Sequence, residues 1–350
     1  GRMNGNSDLL AGSSSPPKQR TSTEQPGPAP SEYDDIHALV PRYLRNVLTH
    51  YHGDFFATGQ TDVIIFVQVM SEGFLPIAAK YSPTGNCADD DGENGTTIVL
   101  PKLHRHRCVI SPLSDLHVSK SIRKKAKKYR LTINRDLDAV VACCHRQHGT
   151  NWLYPEVVDA FRTICAKGAQ GMSAMVFDDS KSPSSPIGSC PVRLYSVEIY
   201  SVRSGDLVAG ELGYTVGSIY TSLTGFTVED GAGSVQLAAL GVLLSECGFS
   251  TWDLGMDMEY KRRIGAKLMP RVEFVNHVRT ERRENPDVIL SCDAQRSNCK
   301  EILTGGVPMD IDEGNGFKSS TKKTGTTPKR NGRKKPYAKK ATHTLNETNV

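Results

Sequence analysis

The chain has no apolar run approaching the roughly 18 to 20 residues that a membrane-spanning helix needs, so no membrane span and no membrane partner are expected. It has no Cys-x-x-Cys pair, and its nine cysteines are odd in number and scattered. That usage argues against a disulfide framework and for a reducing compartment, so a cytoplasmic location is expected. The first residues are small and polar rather than apolar, which excludes a secretory signal in the sequence as given, and the Gly-Arg-Met start reads as a trimmed end. Tryptophan is scarce, with only Trp152 and Trp252 in 350 residues. Acidic residues are missing altogether between residues 318 and 340, where ten of the 43 Lys and Arg residues lie; taking those ten from the net +5 leaves −5 for the remainder. The body of the chain is therefore not generally basic, and any contact with nucleic acid within it must rest on local patches.

Hydrophobic residues at 38% and charged residues at 23% are those of a globular chain that can bury a core without disulfides. Residues 1–32, rich in Ser, Pro and Gly, cannot bury enough surface to offset the entropy of ordering and are expected to be disordered. Helical spacing marks residues 36–52 and 63–70, a solvated loop follows over 81–97, and a short strand over 98–100. His104, His106 and Cys108 alternate as on a strand, but no fourth metal ligand stands near them.

Residues 117–129 hold a dense basic run, Lys120, Arg123, Lys124, Lys125, Lys127 and Lys128, which reads as a solvated helix surface or a phosphate contact. A strand is expected at 129–133 and helices at 137–145 and 155–166, the latter with Pro155 and Glu156 where the helix dipole favours them. Cys143, Cys144 and His145 fit buried, unreactive thiols better than a nucleophile. A Gly/Ser/Pro-rich linker is expected over 167–189. Strands at 194–202, 207–214 and 218–223 then form an antiparallel meander. Gly231-Ala232-Gly233-Ser234 opens a helix over 235–245, ended by Cys247-Gly248, and 249–254 reads as a buried strand. This order describes an α/β (α+β) fold of the GCN5-like N-acyltransferase (GNAT) type. The expected domains are a disordered segment 1–32, a small N-terminal α/β domain 33–105, a GNAT-like domain 106–280 and a disordered basic tail 281–350.

Several segments carry a family likeness. They are Gly73-Phe74-Leu75-Pro76; Asp115 to Arg123 followed by Tyr129-Arg130-Leu131-Thr132-Ile133-Asn134; Gly149-Thr150-Asn151-Trp152-Leu153; and the gap-free spacing of Glu211, Gly213, Gly217, Ser222, Phe226, Asp253, Gly265-Ala266, Pro270-Arg271 and Phe274. In these the chain resembles the leucyl/phenylalanyl-tRNA–protein transferase family, as a divergent, eukaryote-like member, over roughly residues 75–277.

The resemblance implies an aminoacyltransferase that moves Leu, Phe or Met from charged tRNA to the N-terminal amine of a protein beginning with Arg or Lys. This creates an N-end rule degradation signal. It implies no metal or bound cofactor, aminoacyl-tRNA being the co-substrate, and a monomer is expected. It makes Asp253 the catalytic carboxylate, with Trp152, Glu211, Ser222, Leu223, Trp252 and Gly255 around the aminoacyl and adenosine pocket. Lys120, Arg123, Lys124, Lys125, Lys127 and Lys128 become tRNA backbone contacts, and Asp257 and Glu259 acceptor contacts. Trp252 either lines that pocket or faces the core.

Departures from the family pattern fall in the site. Gly255 stands where the family has Gln, Leu223 where it has Glu, and Ile77 where it has an aromatic residue. Glu211 takes an apolar position, where an uncompensated carboxylate would be costly to bury and would disfavour an apolar donor. Two alternatives stay open: an acyl-CoA-dependent N-acyltransferase, for which Gly231-Ala232-Gly233 is a partial signal and Val228 a missing one, and a non-catalytic tRNA- or RNA-binding homologue.

Overall fold

Asp62 caps the helix that begins at Val63, its carboxylate accepting the Ile64 amide at 2.8 Å. The computed structural model describes residues 40, 44, 54–81, 95–177, 186–293 and 297–305, all within a unit spanning residues 1–309. The chain is mixed α/β. After α1 (Val63–Ser71) comes a hairpin of β1 (Leu75–Tyr81) and β2 (Thr96–Lys102), then β3 (His106–Ile110), α2 (Lys120–Ala126) and β4 (Tyr129–Ile133). Helices α3 (Leu137–His148) and α4 (Pro155–Cys165) follow. The meander is β5 (Met172–Phe177), β6 (Pro186–Ser201), β7 (Leu207–Val216) and β8 (Ile219–Thr227). Then come α5 (Ala232–Glu246), β9 (Thr251–Asp253), α6 (Glu259–Arg263), β10 (Lys267–Pro270), α7 (Arg271–Glu284) and α8 (Cys299–Gly305).

The large sheet runs β10-β3-β9-β8-β7-β6-β4, with β5 also paired to β6. Every pairing is antiparallel except β8 with β9, which run parallel for three residue pairs, Ile219 with Thr251, Tyr220 with Trp252 and Thr221 with Asp253. Helix α5 makes the crossover between them, as a parallel connection requires. It has no charged residue before Glu246 because it is buried round most of its circumference. Gly241 lets it lie close: a side-chain Cβ there would sit 2.6 Å from Leu116 and 2.9 Å from Trp252. Burial of Leu240 and Leu244 contributes about 1.5–3 kcal/mol each.

The sheet separates two cores. On one side Leu194, Leu212, Tyr214 and Ile219 pack with α1, α3, α4 and α7; on the other Tyr195, Val197, Tyr220 and Trp252 pack with α5 and α8. Ile65, Phe66 and Phe74 share the first core with Val157, Leu194 and Phe274, so residues on both sides of position 105 are packed together. A buried ion pair ties the two ends of this layer, Arg282 donating to Glu72 at 2.7 Å.

Two expectations need correction. Residues 167–189 are no mere linker: Met172–Phe177 pairs with Pro186–Ser201, the apolar positions Ala174, Phe177 and Cys190 being buried despite the Gly and Ser around them. Nor is all of 281–350 a disordered tail. Arg193 holds the carbonyls of Pro286 and Val288, Leu131 donates to Ser297, and α8 buries Cys299, Ile302 and Leu303. The expected segment 1–32, the loop residues 82–94 and the basic run 318–340 lie outside the described residues, and of the expected helix 36–52 only Val40 and Leu44, both buried and helical, lie within them.

Candidate functional site

Asp253 ends β9 where β8 and β9 stop pairing, and it is wholly buried. Both its oxygens are engaged by Arg107 of β3, through Nε at 3.1 Å and through the neighbouring terminal nitrogen. Thr221 donates its hydroxyl at 3.1 Å and Gly255 its amide at 2.9 Å. Arg107 also gives its third nitrogen to the Gly73 carbonyl and lies 4.6 Å over the Phe274 ring. Phe74 next in that motif accepts from the Tyr214 hydroxyl at 3.0 Å, so the Gly-Phe-Leu-Pro segment is the floor under the pair. The sequence alone missed Arg107; its signal was a lone charged residue on an otherwise apolar strand, at a position where alternation points inward.

The loop after Asp253 is held from beneath by Lys261, whose ammonium donates to the carbonyls of Leu254 at 2.6 Å and Met256 at 2.8 Å. Burial pulls its pKa down. Asp257 and Glu259, expected as acceptor contacts, are ion-paired at the surface with Arg262 and Arg263.

Successive strand residues point to opposite faces, and the expected pocket residues divide accordingly. Leu223 and Trp152 pack toward the core that holds Asp253. Glu211, Ser222 and Trp252 form a separate buried chain on the α5 face: Trp252 Nε1 donates to Ser222 Oγ at 2.9 Å, and Ser222 donates to Glu211 Oε1 at 2.8 Å. Trp252 thus faces the core. Glu211 also accepts from Tyr220 at 2.9 Å and from Gln236 of α5 at 2.9 Å, so its carboxylate is compensated, not bare. Burial still raises its pKa to about 7 against the pull of these donors.

Trp152 is half-buried, edge-on to Phe161 at 6.3 Å, and lines a cleft of about 160 Å³ with His145, His148, Thr150 and Thr224. The cleft walls are fixed by His148 on the Gly225 carbonyl at 2.9 Å and by His145 on that of Leu153 at 2.8 Å. Cys144 on the same wall is inert, burial pushing its thiol up to about 12. His104, His106 and Cys108 make no metal set, and no group of three or more His, Cys, Asp or Glu suited to a metal exists among the described residues. His104 lies before β3 and is held neutral, its pKa lowered to about 4 by burial and by Arg107 and Lys102.

The basic run divides too. Lys125 forms a solvent-exposed ion pair with Asp230 at 3.1 Å, and Arg123 donates to the Leu303 carbonyl at 2.8 Å. Lys124, Lys127 and Lys128 are exposed.

Comparison with known proteins bears on these features. A family model described as leucyl/phenylalanyl-tRNA protein transferase matches residues 109–188 and 191–279. The leucyl/phenylalanyl-tRNA–protein transferase of Azotobacter vinelandii is 27% identical over 178 residues, covering 49% of this chain and 66% of that protein. That of Ectopseudomonas mendocina is 26% identical over 178 residues with the same coverage, and that of Psychrobacter arcticus 25% over 183 residues, covering 50% and 59%. Among solved structures a crystal structure of FemX covers 48% of this chain and 60% of its own at a TM-score of 0.30 and 11% identity. The match spans about half of this chain and 66% of the first two relatives. The chain is thus related to a family of transferases. That family is the leucyl/phenylalanyl-tRNA protein transferases, to which residues 109–279 are similar, as their motifs implied.

Proposed function

We propose that the chain is an aminoacyl-tRNA–protein transferase, moving an amino acid of the Leu, Phe or Met class onto the N-terminal amine of an acceptor that begins with Arg or Lys. The observation that carries this reading is the position of Asp253, at the end of β9 beside the parting of β8 and β9, within the span that matches the family. In this reading residues 106–280 form a GCN5-like acyl-transfer unit, with α1, β1 and β2 as a smaller layer beside it.

The amine nitrogen attacks the ester carbonyl carbon, the bond to the ribose oxygen breaks, and the proton lost by nitrogen ends on that oxygen. An α-amine has a pKa near 7.7 to 8, so a usable neutral fraction exists without a strong base. This suits a site in which Leu223 and Gly255 replace polar family residues. Asp253 then serves as a positioning group: buried beneath the site, it fixes Arg107, Thr221 and the Gly255 amide and touches no substrate itself. Trp152 stacks the terminal adenine, a contact worth about 1–3 kcal/mol per base. Glu211, compensated on the opposite face, does not bar an apolar donor. The exposed lysines of α2 and the following turn meet the acceptor arm.

The acyl-CoA alternative is weakened at the start of α5. There Asp230 and Glu229 precede the helix and meet Lys125 and Tyr129, so two carboxylates stand where a pyrophosphate would bind. The test is label transfer from singly charged tRNAs to peptides starting with Arg, Lys, Asp or Ala, beside an acetyl-CoA reaction. Transfer from Leu-, Phe- or Met-charged tRNA is expected; acetyl transfer alone, or no transfer with tRNA still bound, overturns the reading.

A further inference from the structure

Helix α8 lies beyond the family match, which ends at residue 279, yet it forms one wall of a groove whose other wall is the family's basic segment. The groove, of about 470 Å³, is lined by Arg123, Lys124 and Lys127 on one side and Lys300, Leu303 and Thr304 on the other. It is a fixed feature. Arg123 donates to the Leu303 carbonyl across it, Ile302 and Leu303 are buried, and Leu131 holds Ser297 just ahead of the helix.

Four cations line this concavity and no carboxylate does. Lys124, Lys127 and Lys300 are all exposed and have no ion-pair partner among the described residues. Like charges gathered in a groove repel one another unless an anion lies between them, and the walls focus that field. The body of the chain, without its 318–340 segment, has the opposite net sign, so this positive groove is a local construction on an acidic body.

We propose that the groove between α2 and α8 binds the phosphodiester backbone of the tRNA acceptor arm, with Lys300 as a phosphate contact supplied by a helix outside the matched family span. This rests on the transferase reading and deepens it. Lys124 and Lys127 hold phosphates from one wall and Lys300 from the other, so the backbone is gripped from both sides.

The experiment is fluorescence anisotropy of the full chain with a labelled hairpin RNA that ends in a seven-base-pair stem and single-stranded CCA, between 50 and 200 mM salt. The variants are Lys300→Ala, Lys300→Glu and, as a control remote from the groove, Lys267→Ala. Each phosphate contact makes affinity fall about threefold between 50 and 200 mM salt, so losing one lowers the slope of log affinity against log salt by roughly one and weakens binding most at the low-salt end. Lys300→Ala is expected to show both changes, Lys300→Glu a larger loss, and Lys267→Ala neither. Lys300 is exposed, so circular dichroism should show the variants folded. Unchanged affinity and slope in both Lys300 variants overturn the proposal, as does displacement of the RNA by polyglutamate at equal charge concentration, which would mark a site for acidic protein segments. A chain that transfers amino acids but fails this test loses the groove alone; one that binds through Lys300 but transfers nothing loses the transferase reading alone.

Discussion

Arg107 and Asp253 form a buried ion pair between β3 and β9, both side chains fully excluded from solvent. Neither can lose its partner cheaply, because the survivor is left as an uncompensated charge in the core. Arg107→Met and Asp253→Asn are each expected to destabilise the chain by about 3–5 kcal/mol, read from urea unfolding. The double variant should recover part of that loss. If the two single effects simply add, the pair is not coupled. Loss of transfer in Asp253→Asn therefore bears on mechanism only when measured on the folded fraction.

Glu211 makes stability depend on pH. Its folded pKa is raised from 4.5 to about 7, so the folded state binds the proton more tightly than the unfolded one. Its contribution is complete below about pH 4.5 and is lost as pH rises through about 7, a change of about 3 kcal/mol. Glu211→Gln cannot ionise. The stability of wild type relative to this variant should fall between pH 5 and pH 8 and then level off; a difference that stays flat across the window would contradict the assignment.

Trp152 can be followed by the difference in emission between the chain and Trp152→Phe, since the chain has no third tryptophan and Trp252, fully buried, is common to both. Titration with an aminoacyl-adenosine analogue should quench it. Trp152→Ala should weaken binding about tenfold, within the 1–3 kcal/mol range of base stacking, whereas Trp152→Phe should retain most of the affinity. Equal quenching in Trp152→Phe would place the ligand elsewhere.

Gly255 stands in the left-handed region, at φ +73°, and a Cβ there would meet only Leu75, at 3.9 Å. Space is therefore available for the family's Gln, but the backbone disfavours it. Gly255→Gln should cost about 1–2 kcal/mol of stability while raising the rate of transfer. A folded variant with an unaltered rate would show that the amide has no role in this chain.

Much of the fold was legible because its signals are local. Pro155 and Glu156 marked α4, and the alternation in residues 129–133 marked β4 to the residue. The 167–189 segment misled because its Gly, Ser and Pro residues outnumber the few buried apolar ones that decide it. Helix α8 was hidden for another reason: three buried residues, Cys299, Ile302 and Leu303, anchor a seven-residue helix too short to show a period. At the site, residue types were visible but their facing was not. Glu211 reads as a misplaced charge until Tyr220, Ser222 and Gln236 are seen to converge on it, and Arg107 could be matched to Asp253 only through pairing between distant strands.

That distance in sequence has a consequence for how the chain is made. Arg107 precedes Asp253 by 146 residues, and synthesis runs at about 5–20 residues per second, so the guanidinium waits roughly seven to thirty seconds for its carboxylate. During that interval β3 has neither of its neighbours, since β9 and β10 are both made later. A nascent chain halted within α5 would carry an open strand edge with a bare cation on it, and such an edge is a surface that chaperones shield and other strands invade. The site is thus completed late, and its assembly coincides with closure of the sheet.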